Sequence, residues 1–439
     1  MIEREVCDER GLRSEDIRRL LDEGVANAAA HAYAHSAFYR DLFDSTGLRP
    51  EQVASAEDLS RLVPVTTKDD LSANGRRMWA ARPGRIVDIV TTSGTTGEPT
   101  PYPMTESDLR RLGYNECLSF ICAGLTSQDV VVLGVTMDKC FMAGLAYFEG
   151  LRQLGAATVR VGPASPAMLL NTIRQLGATA VVAVPSFLKK VADYATEVGV
   201  ALAELPVRKL VCIGESLRDA ALRPTPLGRR LAELWGAKLY STYAATEMAT
   251  SFCECDAGAG GHLHPELVYA EILDEEGRPV PDGRLGEVVV TPLGVEAFPL
   301  LRFRTGDMAF VIREPCACGR LTPRIGPIQG RKGQMLKLKG TTVYPPGVQR
   351  ALSGVEQVAD YLMVATTTPA MADQLEVLCC VTGDEAGALE RIREALKGEL
   401  KVTPLVRIVS AEELQGRQCL RESRKKAVFI DQRRSRDDR

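Results

Sequence analysis

Between about residue 85 and residue 245, short β-branched runs alternate with amphipathic helical stretches, and this alternation constrains the fold more than any other feature. The runs are "RIVDIV", "DVVVLGV", "ATVRVG", "TAVVAVP", "KLVCIG" and "KLYSTY", with helical segments such as "PAMLLNTIRQLG" and "PSFLKKVADYATEVG" between them. A strand that returns through a helix to the next strand builds a parallel sheet covered by helices. The middle of the chain therefore predicts an α/β architecture with mostly parallel sheets. At 439 residues the chain exceeds what one hydrophobic core ordinarily serves, so further folding units are expected around this one.

The flanks read differently. Ser14 is placed to cap a helix running through "EDIRRLLDEGVANAAAHAYAHSAFYRDLF", and "SAEDLSRL" makes a second, short one. His31 and His35 stand at helical i, i+4 spacing, but no glutamate follows His31 and no third ligand offers itself. They read as ordinary helix-face histidines. From 265 to 330 the texture turns to strands and turns ("YAEILDEEGRPV", "GEVVVTPL", "RFRTGDMAFVI"), which predicts a β-rich subdomain. After "GRKGQ" the alternation resumes on a smaller scale, predicting a compact α+β domain of about a hundred residues. The expected organisation is a large multi-subdomain unit over 1–330 and a small, mobile C-terminal domain over 331–439. Gly330 and Gly333 mark a hinge at about 330–334.

Charge and composition exclude several classes. The net charge of −3 supplies no electrostatic attraction to nucleic acid or to an acidic membrane surface. The start "MIEREVCDERG" has no apolar core and reads as neither signal peptide nor anchor. No run approaches the roughly 18–20 apolar residues that span a bilayer. Twelve scattered cysteines without an export signal fit free thiols in a reducing cytoplasm.

The stretch "TTSGTTGEPT", from Thr91, carries the first chemical signal. Gly94 and Gly97 permit positive φ and close backbone approach, so successive N–H groups can face an anion, and Thr92, Ser93, Thr95 and Thr96 add hydroxyl donors. The lysine of the usual nucleotide-triphosphatase loop is absent, and Glu98 stands nearby instead. Alone, such a stretch is more often an ordinary surface turn.

Its company is more specific. "YSTYAATE" at 240–247, "RFRTGD" at 302–307, "GRKGQMLKLKG" at 330–340 and "SRKKAVFID" at 423–431 follow in that order. Together these resemble the adenylate-forming superfamily of acyl- and aryl-CoA synthetases, and within it the phenylacetate–coenzyme A ligase branch. The blocks "HSAFYRDLFDSTGLRPEQVASAEDLSRLVPVTTKDDL" and "CFMAGLAYFEGLRQLGA" resemble that branch as well, so the likeness spans essentially the whole chain.

The resemblance implies activation of a carboxylate by Mg·ATP to an acyl adenylate, with release of pyrophosphate. Transfer of the acyl group to coenzyme A follows. An amine or a carrier-protein thiol as acceptor, or a degenerate nucleotide- or acid-binding sensor, are the alternatives. A homodimer is common among such relatives. Carried over residue by residue, Thr92, Ser93, Thr95 and Thr96 would hold the β- and γ-phosphates. Tyr243 would pack beside the adenine, with Thr246 also at the nucleotide, and Glu247 would bind magnesium. Asp307 would accept both ribose hydroxyls, and Arg331 would lie near ribose and phosphate. Lys426 would bridge the substrate carboxylate and the α-phosphate. These roles suit the chemistry: a carboxylate attacking a polyanion is repelled, and placed cations and N–H donors lower that barrier electrostatically. Three positions depart from the pattern: Glu98 for a common lysine, Gly333 at the hinge, and Arg424–Lys425 before Lys426. The last leaves the register of Lys426 against Lys425 open.

A second constellation joins "SFCECDAGAGGHLHPE" to "EPCACGR". A closed structural zinc site needs four N/S ligands, and a C-x-C-G turn can present two thiolates to one ion. Alignment on zinc-bearing members of the branch points to Cys255, His262, Cys316 and Cys318, with Cys253 as the alternate to Cys255. Cys379 and Cys380, adjacent in "LEVLCCVTG", should point to opposite faces of a strand.

Overall fold

The computed structural model describes residues 9–92, 99–368, 372–418 and 427–433. Contacts divide the chain into two compact units. One comprises Met1–Pro224, Gly228–Thr305 and Ala309–Ile328; the other comprises Thr225–Leu227, Gly306–Met308 and Gln329–Arg439.

In the first unit the valine-rich runs become the strands that their alternation with helices predicts. Strands β3 (Val130–Leu133), β4 (Ala157–Arg160), β5 (Ala180–Ala183), β6 (Lys209–Cys212) and β7 (Lys238–Ala245) pair in parallel, in the order β4-β3-β5-β6-β7. Antiparallel pairing then extends the sheet through β8 (Thr250–Glu254), β9 (Gly261–His262), β14 (Arg324–Ile325) and β13 (Val311–Ile312). The sheet is parallel where helices connect its strands, since a crossover returns the chain to the same end, and antiparallel where short turns join β7 to β8 and β8 to β9. Leu133, Val182 and Val211 from three parallel strands pack with Tyr147 and Leu151 of the Met142–Leu154 helix. Removing each such side chain from water contributes about 1.5–3 kcal/mol. That helix lies close on the Glu106–Cys122 helix: a Cβ at Gly150 would collide with the Cβ of Glu116.

One run departs from the expectation. "RIVDIV" does not join the parallel sheet; β1 (Ile86–Thr91) pairs antiparallel with β2 (Pro101–Thr105) in a two-stranded ribbon. The reason lies in its outer face, where Val87 and Ile89 are 56% and 45% exposed and no helix covers them. The hydroxyl-rich loop therefore connects the strands of a hairpin, not a strand and its crossover helix.

The N-terminal helix also differs. It is broken into Ser14–His35 and Ala37–Thr46, because Ser36 leaves helical geometry and its hydroxyl accepts the Tyr39 N–H. Ser14 is the first helical residue and not the cap; the Asp16 carboxylate accepts the Arg13 N–H at 3.2 Å. The short helix expected in "SAEDLSRL" forms over Ala56–Leu62, with Ser55 as its cap. His31 is committed to the fold, with Nε2 2.9 Å from the Glu296 carbonyl.

The region after 265 is β-rich as expected. β10 (Val268–Leu273) pairs with β11 (Gly286–Pro292), which neighbours β12 (Phe303–Ala309). The stretch Gly306–Met308 of β12 belongs to the second unit, where it pairs antiparallel with β15 (Gly330–Arg331). That unit continues through the hairpin β16 (Leu336–Leu338) and β17 (Thr341–Val343) into a four-stranded sheet, β20-β19-β18-β21. Its strands are β18 (Val358–Thr367), β19 (Asp373–Val381), β20 (Leu405–Ile408) and β21 (Phe429–Asp431). Cys379 joins the cluster with Ile392 and Leu396, whereas Cys380 packs on Leu362 and Leu414, so the two adjacent cysteines do face opposite ways.

Candidate active site and metal centre

The loop of the opening hairpin is closed at its base by reciprocal bonds. Thr92 N–H donates to the Thr100 carbonyl, and Thr100 N–H donates to Thr92 Oγ1, each at 3.0 Å. One residue earlier, Thr91 N–H donates to the Cys140 carbonyl at 3.0 Å, tying β1 to the turn that enters the Met142–Leu154 helix. Thr92 is thus buried and pinned. Ser93, Thr95, Thr96 and Glu98 lie outside the described residues, as do Arg424, Lys425 and Lys426.

Tyr243, Thr246 and Glu247 fall on one segment at the C-terminal end of β7. In an open α/β sheet, that end of the parallel strands is where ligands gather. Tyr243 is opposite Phe252 of β8, and the rings stack at 5.8 Å with 28° between their planes. β7 gives way at Thr246–Met248 to a single 3-10 turn, and Ala249 ends it in the left-handed region (φ 46°, ψ 33°) before β8 begins. A chain that reverses in so few residues leaves the Glu247 side chain on a turn and out of the ladder; Glu247 is half-buried.

Asp307 and Arg331 are brought together. They are register partners across β12 and β15, and Arg331 Nε donates to Asp307 Oδ1 at 3.2 Å. The carboxylate side chain is 9% exposed and the guanidinium 32%. Asp307 lies on the inward face of β12 with Phe303, Thr305 and Ala309, where an ionised carboxylate requires such a partner. A carboxylate can accept hydroxyl hydrogens.

Four side chains converge elsewhere in the first unit. One ligand atom each from Cys255, His262, Cys316 and Cys318 lie within 4.8 Å of one another. Cys255 Sγ is 3.6 Å from Cys316 Sγ, and Cys318 Sγ is 3.5 Å from His262 Nε2. Ligands about 2.3 Å from a tetrahedral ion are separated by roughly 3.8 Å, so the donor set fits zinc in number, type and spacing. Gly319, at φ 91°, closes the turn that presents Cys316 and Cys318. Cys253 is outside the group: its side chain belongs to the core between sheet and helices, with Tyr240 and Val211. β8 ends at Glu254, and Cys255 follows it at the start of a turn closed by the Gly258 N–H to the Cys255 carbonyl at 2.9 Å, separating the two thiols.

The surroundings favour ligation. Burial, aided by the charges of Arg320 and Arg324, pushes the His262 imidazole down to about 3, so it is neutral. His262 Nδ1 is 2.9 Å from Thr322 Oγ1, which orients Nε2 toward the thiols. Burial raises the Cys255 thiol to about 12, with Cys316 adding to the effect. Burial also opposes ionisation of Cys318, but the Arg320 backbone N–H and guanidinium outweigh it and lower its pKa. Arg320 reaches Cys318 Sγ at 3.6 Å and the buried Glu9 carboxylate at 3.3 Å. A dication bound by three thiolates would leave one net negative charge, and the Arg320 guanidinium lies beside Cys318 to face it.

Sequence reasoning missed a buried polar stripe on the Glu106–Cys122 helix: Asp108, Arg111, Asn115, Glu116 and Ser119. Its only trace in the sequence was the helical spacing of Asp108, Arg111, Asn115 and Ser119, which a solvated face shows equally. Asp108 accepts the Glu296 and Ala297 N–H groups at 2.6 and 2.9 Å. Ser119 Oγ lies 3.2 Å from His264 Nε2, whose Nδ1 is 2.7 Å from Glu9 Oε1. His264, the other histidine of "GGHLHPE", is therefore engaged in this network and not in the thiol cluster.

Residues 18–295 match the model of the AMP-binding enzyme family. The phenylacetate–coenzyme A ligase of Thermus thermophilus is 29% identical over 371 residues, covering 83% of this chain and 82% of that protein. The enzyme of the same name from Pseudomonas putida is 26% identical over 411 residues, covering 92% and 91%. Among solved structures, a 2-hydroxyisobutyryl-CoA ligase in its postadenylation state superposes with a TM-score of 0.80 at 22% identity, covering all of this chain and 96% of that one. No helix among the described residues is long and apolar enough to cross a membrane. With the ordered motifs and relatives of matching length, the chain belongs to the AMP-binding enzyme family, as an AMP-forming acid–thiol ligase.

Proposed function

We propose that this enzyme activates an aromatic carboxylic acid, phenylacetate-like or benzoate-like, with Mg·ATP and passes the acyl group to coenzyme A. The observation that carries the reading is the Asp307–Arg331 pair: a buried carboxylate and a half-buried guanidinium on adjacent strands, suited to a ribose diol beside a phosphate. The names of the Thermus thermophilus and Pseudomonas putida relatives support the choice of acid and acceptor.

In the first half-reaction a carboxylate oxygen attacks the α-phosphorus, the bond to the β-phosphate oxygen breaks, and pyrophosphate leaves. Thr92, Ser93, Thr95 and Thr96 hold the departing phosphates, and Tyr243 and Thr246 border the nucleotide. Asp307 fixes the ribose, with Arg331 alongside. Glu247 holds the magnesium that neutralises phosphate charge. Lys426 supplies a compact positive charge between carboxylate and α-phosphate. In the second half-reaction the thiol sulfur attacks the acyl carbon, the carbon–oxygen bond to phosphate breaks, AMP leaves and the thiol proton is released. The small domain over 331–439 turns about 330–334 between the two steps, carrying Lys426 away so that the thiol can enter.

Cys255, His262, Cys316 and Cys318 hold a structural zinc ion in this reading. It pins the excursion between β8 and β9 to the 316–319 turn and takes no part in the chemistry.

Acid-dependent exchange of labelled pyrophosphate into ATP, run over a panel of aryl acids, tests the first half-reaction; AMP release with and without coenzyme A tests the second. Exchange with an aryl acid and coenzyme A-dependent thioester formation are expected. Exchange without thioester would move the acceptor to an amine or a carrier-protein thiol, and no exchange with any acid would leave a binding protein.

A further inference from the structure

Arg111, Asn115 and Ser119 stand at i, i+4 and i+8 on the Glu106–Cys122 helix, all buried, and all three reach the same short stretch, Ala249–Ser251. Arg111 Nη1 donates to the Ala249 carbonyl at 2.5 Å, and Nη2 to Thr250 Oγ1 at 3.1 Å and the Leu267 carbonyl at 2.6 Å. Its Nε donates to the Leu293 carbonyl at 2.5 Å. Asn115 Oδ1 accepts the Ser251 N–H at 2.8 Å, and Ser119 Oγ lies 3.0 Å from Ser251 Oγ.

What this grip holds is strained. Ala249 is an alanine with φ 46° and ψ 33°, a conformation in which a Cβ crowds the following carbonyl. Its N–H donates to the Thr246 carbonyl at 3.1 Å, closing the turn that carries Glu247. Relaxation of Ala249 to an ordinary conformation would rotate the peptides on either side and re-aim the residue two positions earlier. A guanidinium presents several donors in one rigid plane, so acceptors from three separate stretches, the turn among them, can be fixed at once.

We propose that Arg111 is a positioning residue for adenylation: it holds Ala249 in the left-handed conformation and thereby aims the Glu247 carboxylate at the magnesium of Mg·ATP. The inference rests on the reading of Glu247 as the magnesium ligand and goes beyond it by naming what sets that ligand's direction. Asn115 and Ser119 fix the far side of the same turn by holding the first residues of β8. The strain belongs to the turn and the restraint to a helix of the α/β core, an arrangement in which strain persists only where surrounding structure over-determines it.

The test measures the magnesium dependence of acid-dependent pyrophosphate exchange, together with the acid KM and the melting temperature, on the full-length enzyme. Arg111→Met is expected to raise the magnesium concentration for half-maximal exchange about tenfold, with the acid KM unchanged. Ala249→Val leaves Arg111 in place but disfavours the left-handed conformation, and should give the same shift. Ala249→Gly added to Arg111→Met should move the magnesium dependence back toward wild type, because glycine adopts that conformation without a restraint. A lowered melting temperature with wild-type magnesium dependence in Arg111→Met and Ala249→Val would overturn the proposal; if Arg111→Met does not fold, Ala249→Val decides it by the same criterion. Glu247→Gln separates the two levels. If it leaves magnesium dependence unchanged, the ligand reading fails and this inference falls with it. If it shifts the dependence and Ala249→Val does not, only the positioning role fails.

Discussion

Glu116 lies on the same helix, fully enclosed between the Met142–Leu154 helix and Ser251. Its carboxyl would ordinarily titrate near 4.5. Burial pushes it up to about 7, partly opposed by a hydrogen bond from Ser251 and by His264. The folded state therefore holds the proton while the unfolded chain gives it up. Any stability from this group is fully present below pH 4.5, falls as pH rises, and is lost by about pH 7. At about 1.4 kcal/mol per pH unit, the interval amounts to roughly 3 kcal/mol. Glutamine has the shape of the protonated acid and cannot ionise, so Glu116→Gln should abolish this loss. Urea unfolding of both proteins at pH 5, 6, 7 and 8 measures the difference, in which all shared titrating groups cancel. The two should be close at pH 5, and the variant should be more stable by roughly 3 kcal/mol at pH 8. A difference that stays constant across this range, or that favours the wild type as pH rises, would refute the assignment of a neutral buried glutamate.

Three further outcomes follow from the sites. Asp307→Asn keeps the size but loses the charge facing Arg331 and the ribose; the KM for ATP should rise about tenfold to a hundredfold while the acid KM changes little, as measured by exchange kinetics. Purified enzyme should contain one zinc per chain by elemental analysis, with Cys318→Ser losing the metal and several degrees of melting temperature and Cys253→Ser retaining both. Lys426→Ala should slow carboxylate-dependent pyrophosphate release by about a thousandfold, whereas Lys425→Ala should not; the reverse would move the catalytic register by one residue.

Much of this was legible in the sequence, for identifiable reasons. β-branched runs between amphipathic segments announced β3 through β7, because strand and helix periodicities are local. The adjacent residues Cys379 and Cys380 had to part to opposite faces because a strand alternates. The ordered motifs named Asp307 and Arg331, although 24 residues separate them in the chain. Other features could not be read. Ser36 breaking one long helix into two depended on where the following segment packs. "RIVDIV" had the composition of a core strand, yet it became half of a ribbon with one exposed face because its partner, Pro101–Thr105, lay beyond the loop. The polar stripe of Arg111, Asn115 and Ser119 was visible only as a helical spacing that a solvated face shows equally.

The sequence by itself determined the family, the chemistry its motifs can support, and the local elements that carry them, because each is written in a contiguous stretch whose backbone preference or side-chain type is decided over a few residues. Only the tertiary structure gathered Cys255, and not Cys253, with His262, Cys316 and Cys318, placed Arg331 against Asp307, and set a buried arginine on the strained turn beside Glu247. Those outcomes depend on pairings between segments far apart in the chain. Such pairings are selected by the burial of whole faces and by the need to satisfy every enclosed polar group, and no single stretch contains that information.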